Sequence, residues 1–358
     1  MRFLYAAGRP AFPFFIGGDG TIAHTMLSEL ERIGVDCRFV GTFGDHVVRK
    51  LERLDRYQLN GDFLHYCAPY PVTLATEERF SGLVETTLAE FRPDVVFAQL
   101  EWAREILALA KRHGCGTALY VLDVEHVENF RALEAEPDVI FAVSDFTRRE
   151  LSRRFGKESR VLYPLVDFER YRTQRSGEFV TMINPVPVKG VDIALELAER
   201  LPRQQFLFVD GWGTDPAIVE RIERLPNATY MRKQLDMRAV YARTRVLLVP
   251  SQWQEAFGRV VVEAQASGIP VIASRTGGLP EAVGEGGILI DDYRNPDRWL
   301  SALQGLLEDQ AGCERLSEKA IENTRRFDLQ RELDRLIRSI NASRSTLPSS
   351  ERGIESAK

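Results

Sequence analysis

Residues 250–281 read P-S-Q-W-Q-E-A-F-G-R-V-V-V-E-A-Q-A-S-G-I-P-V-I-A-S-R-T-G-G-L-P-E. The middle of this stretch predicts a helix from near Gly258 to Gly268, a glycine suited to the left-handed residue that closes a helix. Val260, Val261, Val262, Ala264 and Ala266 leave that helix almost no polar side, the pattern of a buried helix. Two carboxylates, Glu255 and Glu263, stand around its start. Burying Glu263 is costly unless it is paired or hydrogen-bonded. It is therefore either half of a structural ion pair with an arginine or a ligand contact.

Working outward, R-V-L-L-V at 245–249 and I-P-V-I-A-S at 269–274 read as strands, which makes the segment a βαβ unit with parallel strands and a right-handed crossover. Ligands of such sheets sit beyond the carboxyl ends of the strands, where 251–259 and 275–279 fall. Phe257, Gly258 and Arg259 lie at the helix N-terminus, where free N–H groups attract anions. An anion seat beside two hydroxyl-accepting carboxylates suits a guest with both phosphate and hydroxyls, and a nucleotide sugar is one.

A second segment points the same way. A strand-like run at 179–183 leads into N-P-V-P-V-K-G at 184–190, then into a helical pattern with Val191, Ala194, Leu195 and Ala198 on its apolar side. Lys189 thus stands at or just before a helix N-terminus, where a cation opposes the dipole at a cost of about 0.3 kcal/mol or more. A bound anion removes that cost. Either the lysine is an ordinary solvated one, or two stiffening prolines present it to an anion.

The chain has 358 residues, 44% hydrophobic and 28% charged, enough for two domains of ordinary size. No run approaches the roughly 18 apolar residues of a membrane span. The N-terminal M-R-F-L-Y-A-A-G-R-P is too short in its apolar part for a signal peptide, so a cytoplasmic location is expected. Cys37, Cys67, Cys115 and Cys313 form no C-x-x-C pair and have no histidine at metal spacing, so they read as reduced thiols and no metal site is expected. A net charge of −5 gives no footprint for nucleic acid.

Strands read at 3–7, 37–40, 94–99, 117–122 and 138–143, with helices near 21–33, 77–91, 103–112 and 145–155 between them. After a polar linker at 172–178 the alternation restarts, with strands at 179–183, 205–209, 229–231, 246–249 and 271–274. The expected architecture is α/β: two facing Rossmann-like domains with parallel sheets and a cleft between them. Residues 1–172 form the first, acceptor-side domain, joined by a C-terminal helix over 327–341, and 173–326 form the second. Residues 342–358 read as a disordered tail, and 61–76 as a first-domain loop.

Residues 17–23, G-G-D-G-T-I-A, contain a G-x-G-x-x-A match. The first strand ends well before it, and the second ends F-V-G-T with no acidic residue to hold a ribose, so both features argue against an NAD-dependent oxidoreductase. The glycines are either an ordinary loop or a lip that lets the backbone approach a phosphate or an acceptor.

Taken together, E-A-F-G-R-V-V-V-E-A-Q-A-S-G-I-P-V-I-A-S with T-G-G-L-P-E behind it, N-P-V-P-V-K-G before it, I-G-G-D-G near the start and A-V-S-D-F-T-R-R-E-L at 142–151 resemble the retaining nucleotide-sugar glycosyltransferases of the GT-B fold, family 4. The resemblance implies metal-independent transfer of a sugar from a UDP- or GDP-sugar to an acceptor hydroxyl with retention of configuration, and no separate cofactor. It implies that Glu255 bonds hydroxyls of the donor sugar, that Glu263 holds the ribose, and that Lys189 neutralises the diphosphate. N–H groups at Phe257, Gly258 and Arg259 would assist, with Gly17 and Gly18 facing them from the other domain and the segment around Arg232 beside the base. Relatives often carry an arginine where this chain has Asn184, a deficit that Arg259 or Arg232 would offset. A histidine touching the sugar would be His126, or Asp123 would take its place; His126 also reads as a merely structural residue. The acceptor would be a saccharide, a lipid-linked sugar or a small molecule. Arg148, Arg149, Arg153, Arg154 and Lys157 form a basic patch that is either a solvated face or a contact for an anionic membrane. The other functional reading is a catalytically inactive nucleotide-sugar-binding regulatory protein.

Overall fold

The computed structural model of the protein describes residues 1–15, 17–99, 101–124, 136–174 and 176–345. Among these, two sheets carry the architecture. The first is built from β1 (Arg2–Ala7), β2 (Asp36–Thr42), β3 (Tyr57–Asn60), β4 (Phe63–Cys67), β5 (Pro71–Ala75), β6 (Val95–Gln99), β7 (Gly116–Val121), β8 (Val139–Ala142) and β9 (Arg160–Val161), in the spatial order β3-β4-β5-β2-β1-β6-β7-β8-β9. The second contains β10 (Phe179–Ile183), β11 (Phe206–Val209), β12 (Ala228–Met231), β13 (Thr244–Val249), β14 (Val271–Ser274) and β15 (Gly287–Ile290), in the order β12-β11-β10-β13-β14-β15.

The second sheet is parallel throughout. Its strands are short apolar runs because helices cover both faces, as parallel sheets require. Val180 and Met182 of β10 pack with Val191, Ala194, Leu195 and Trp299 on one side. Leu247 and Val249 of β13 face the other side, with Val261, Val262 and Ala264. The strand order is that of a doubly wound Rossmann sheet, so β10 and β13 flank the point where the order reverses and a crevice opens at their carboxyl ends. Asn184 follows β10 and Pro250 follows β13, so both informative segments of the sequence end at that crevice.

The first sheet departs from expectation at one edge. Residues 61–76 are not a loop: β4 and β5 run antiparallel to each other, and β3 pairs antiparallel with β4. The strand β3, Y-Q-L-N, is exposed along its whole length, so its alternation of apolar and polar residues marks no buried face.

The halves meet in an aromatic contact. Tyr163, Phe257 and Phe327 lie 4.9–5.9 Å apart, ring centre to ring centre. The linker is tied down, since Thr173 N donates to Ser267 Oγ and Ser176 N to the Ala242 carbonyl. The last helix, Leu329–Ser345, packs back onto β7, β8 and the helix Gly18–Arg32. It continues through 342–345, positions expected to be tail, and 346–358 lie outside the described residues. Among the described residues no helix is long and apolar enough to cross a membrane.

Candidate active site

A cleft of about 790 Å³ lies between the halves, within the usual size of a small-molecule site. Gly17, Gly18, Asp123, Asn184, Lys189, Glu255, Phe257, Gly258, Arg259 and Glu263 all line it. Arg232 does not: its side chain is exposed outside the wall, and the neighbouring Lys233, Gln234 and Leu235 take that place. His126 lies outside the described residues.

Two tight turns build the floor. Gly190 has φ +82, and a Cβ there would sit 1.9 Å from the Pro250 carbonyl oxygen, so only glycine lets the loop after β10 close on the loop after β13. Gly258, with φ +100, starts the helix Arg259–Gln265, and a Cβ there would meet Leu279 at 2.6 Å. The helix stops short of the expected end near Gly268, at seven residues. So short a helix carries little macrodipole, and the side-chain charges of Lys189 and Arg259 supply the positive potential on this floor.

Lys189 and Glu255 form an ion pair, each side chain 15% or less exposed. Ser251 Oγ donates to the same Glu255 oxygen at 2.6 Å. The ammonium also lies 4.7 Å from the ring centres of both Trp212 and Trp253, a cation–π arrangement that holds it without a second carboxylate. Two residues that the resemblance assigns separately, one to the sugar and one to the diphosphate, are thus in direct contact.

Glu263 has the partner its burial demands. Arg259 Nη2 lies 2.7 Å from one carboxylate oxygen, and Tyr241 OH donates to the other at 2.9 Å. This is the ion-pair reading of Glu263, and its arginine belongs to the site. Each carboxylate oxygen still has a lone pair for a further donor. The guanidinium of Arg259 also donates to the Gly18 carbonyl at 2.7 Å and to Tyr171 OH at 2.8 Å, linking the two halves. Arg259, expected to make up for the charge missing at Asn184, thus lines the cleft with these contacts already made. Burial opposes the charged form of Arg259, but the Glu263 carboxylate together with the Tyr171 and Tyr241 hydroxyls outweighs it and holds the pKa above the usual value. Burial first, then the Glu263 charge, pushes the Tyr171 hydroxyl up to about 12.

Asn184 sits at φ +64, in the left-handed region that asparagine tolerates better than arginine. Its Oδ1 accepts from Trp212 N at 2.9 Å, so its side chain shapes the loop carrying Trp212. Phe257 is 3% exposed and its ring belongs to the contact between the halves, which leaves its backbone as what it offers the cleft. On the opposite wall, His24 stacks on Phe12 at 4.1 Å and meets Tyr70 OH through Nδ1 at 3.0 Å. Asp19 is paired with Arg9 at 2.9 Å, yet burial outweighs the arginine and raises its pKa.

Sequence reasoning did not single out Tyr171, Tyr241, Trp212, Trp253, Lys233 or His24. Only Trp212 carried a local signal, a tryptophan between glycines directly after a strand. The others become site residues through long-range contacts.

Two facing Rossmann-like halves with a nucleotide-sized cleft at the switch point define the GT-B fold, shared with the HepE structure from Anabaena in complex with UDP and glucose at a TM-score of 0.77 over 95% of this chain and 99% of that one, with 18% identity. Residues 173–326 match the family model for glycosyl transferases group 1. The D-inositol 3-phosphate glycosyltransferase of Corynebacterium glutamicum is 47% identical over 98 residues, 27% of this chain and 23% of that protein. The protein of the same description from Mycobacterium marinum is 32% identical over 212 residues, 50% of this chain and 44% of that one. In both cases the chain spans less than half the length of the relative it matches.

Proposed function

We propose that this protein transfers a sugar from a nucleoside-diphosphate sugar to an acceptor hydroxyl, with retention of configuration and without a metal or further cofactor. The observation that carries the reading is the convergence of Lys189, Glu255 and Glu263 at the crevice between β10 and β13, opposite the Gly17–Gly18 lip. The HepE complex with UDP favours a UDP-sugar over a GDP-sugar as donor.

Departure of the diphosphate builds negative charge on its terminal oxygens, while positive character grows at the anomeric carbon. Lys189 answers the first. A dianionic phosphate competes with Glu255 for the ammonium, and the freed carboxylate then accepts hydrogen bonds from sugar hydroxyls. Glu263, oriented by Arg259 and Tyr241, accepts from the ribose hydroxyls. The acceptor enters from the first half, past Asp123, on the face the diphosphate leaves. Approach of the halves excludes water and so suppresses hydrolysis.

A membrane role for the basic patch is the weaker reading. Arg148 and Arg149 share Asp145, Arg153 and Arg154 share Glu150, and Lys157 pairs with Glu136, so five cations are offset by three carboxylates. An inactive regulatory protein would bind the donor and stop there. Incubation with UDP- and GDP-sugars plus a panel of sugar acceptors, reading nucleoside diphosphate release and the anomeric NMR signals of the product, separates the two. Acceptor-dependent release with the donor configuration kept supports transfer; tight donor binding without turnover supports the regulator.

A further inference from the structure

We propose that Arg259 is a positioning residue that ties the Gly17–Gly18 lip of the first half to the donor floor, so that the lip backbone and Lys189 face the same diphosphate. The proposal rests on the transfer reading above and names a residue that prepares its donor site.

Arg259 lines the cleft with a side chain that is 11% exposed, and its contacts come from three separate parts of the chain. Nη2 lies 2.7 Å from the Glu263 carboxylate, in the second half, and donates to Tyr171 OH at 2.8 Å, in the segment leading into the linker. Nη1 donates to the Gly18 carbonyl at 2.7 Å, in the first half. A planar fork serves these acceptors together, which the single ammonium of a lysine does not. The charge also reaches the next lip residue: burial raises the Asp19 pKa, and Arg9, then Arg259, work against it.

Gly17 and Gly18 line the cleft with backbone alone, so what they offer a ligand depends on where that backbone stands. A charge-assisted hydrogen bond from a guanidinium that is itself anchored by a carboxylate and a phenol is a firm tether for it. The contacts of Ser144 with Ala256, and of Asp145 and Phe146 with Glu281, also join the halves, but they lie at the start of the helix Asp145–Phe155 and do not touch the lip. If Arg259 served only to neutralise Glu263, its loss would act on the ribose contact and leave the lip where it is. The two roles therefore separate at Gly18.

The test is a double-mutant cycle on UDP binding by the full chain, measured calorimetrically for wild type, Arg259→Lys, Gly18→Ala and the double variant. Arg259→Lys keeps a positive charge beside Glu263 and gives up the fork. Each single variant is expected to bind UDP about tenfold more weakly, and the double variant also about tenfold, because a lip that is no longer held has no close approach left to lose. Amide hydrogen exchange over residues 17–22, without ligand, is expected to run about tenfold faster in Arg259→Lys than in wild type. Tyr171→Phe removes one acceptor of the guanidinium and leaves Glu263 and the lip intact, so it gives the same exchange reading if Arg259→Lys does not fold. A loss of about a hundredfold in the double variant makes the two residues independent and overturns the proposal. So does wild-type UDP affinity in either single variant, or lip exchange unchanged in both Arg259→Lys and Tyr171→Phe. Absence of UDP binding by wild type counts against the transfer reading instead, and the exchange measurement then decides the role of Arg259.

Discussion

A methyl group added at Gly18 would meet no atom within 4 Å, yet Gly18 lines the cleft in the first turn of the helix Gly18–Arg32. Gly18→Ala is therefore expected to fold as well as the parent, or up to about 1 kcal/mol better. If phosphate approaches the backbone here, it binds nucleoside diphosphate about tenfold more weakly. Thermal melts and a UDP titration on one preparation check both parts; unchanged affinity means the lip touches no ligand. His24 offers a different test. Burial, then the Arg170 charge, lowers its pKa from 6.5 to about 4. The unfolded chain therefore binds the extra proton between these values, and stability present above pH 6.5 is lost as pH falls toward 4. The loss is roughly 3 kcal/mol from this group. Urea unfolding at neutral and at acidic pH should show a smaller acid loss for His24→Gln than for wild type, and an equal loss contradicts the assignment.

At the scale of elements, the turn that starts the helix Arg259–Gln265 is the most constrained feature of the site. Gly258→Ala places a side chain at φ +100 and against Leu279, with an expected cost of more than about 1 kcal/mol and displacement of the floor. A variant as stable as wild type by chemical denaturation would refute that reading. Strands β10, β11, β13 and β14 of the second sheet were legible because each is a largely buried apolar run closed by turn residues, with helices alternating between the runs, whereas the only partly buried β15 was not read as a strand. The β3–β5 edge was not legible, since a four-residue exposed strand such as Y-Q-L-N is too short for its alternation to stand out from a loop. The same logic divides the site. Lys189, Glu255 and Glu263 declared themselves through local contradictions, a cation at a helix start and a carboxylate in an apolar helix. Tyr241 and Tyr171 became their neighbours only through packing between distant segments, and Asn184 revealed its scaffold role only through its left-handed backbone.

For the whole molecule, the relation of the halves depends on a few polar contacts around the aromatic centre. Glu281, from the second half, accepts from the N–H groups of Asp145 and Phe146 at the start of the helix Asp145–Phe155, and from Tyr163 OH at 2.7 Å. Ser144 Oγ donates to the Ala256 carbonyl at 2.5 Å, next to the site floor. Glu281→Ala leaves the Ser144 cap of that helix in place but strips the Asp145 and Phe146 N–H groups and Tyr163 OH of their acceptor, an expected loss of about 1–3 kcal/mol. Small-angle scattering should show a larger radius of gyration for the variant, and an unchanged radius would place the restraint in the aromatic contact and the remaining polar ones. If closure excludes water, the same variant releases more nucleoside diphosphate without acceptor than wild type does.

The donor site at the crevice between β10 and β13 is the centre of the account, and a thermal-shift panel of nucleoside diphosphates and nucleotide sugars on wild type, Lys189→Ala and Glu263→Ala tests it most directly. A ligand at 100 times its dissociation constant adds about 2.7 kcal/mol to stability. The account predicts a rise in melting temperature with one nucleotide family, UDP first, that is lost in both variants. A folded wild type that responds to no nucleotide, or variants that respond as strongly as wild type, would contradict it.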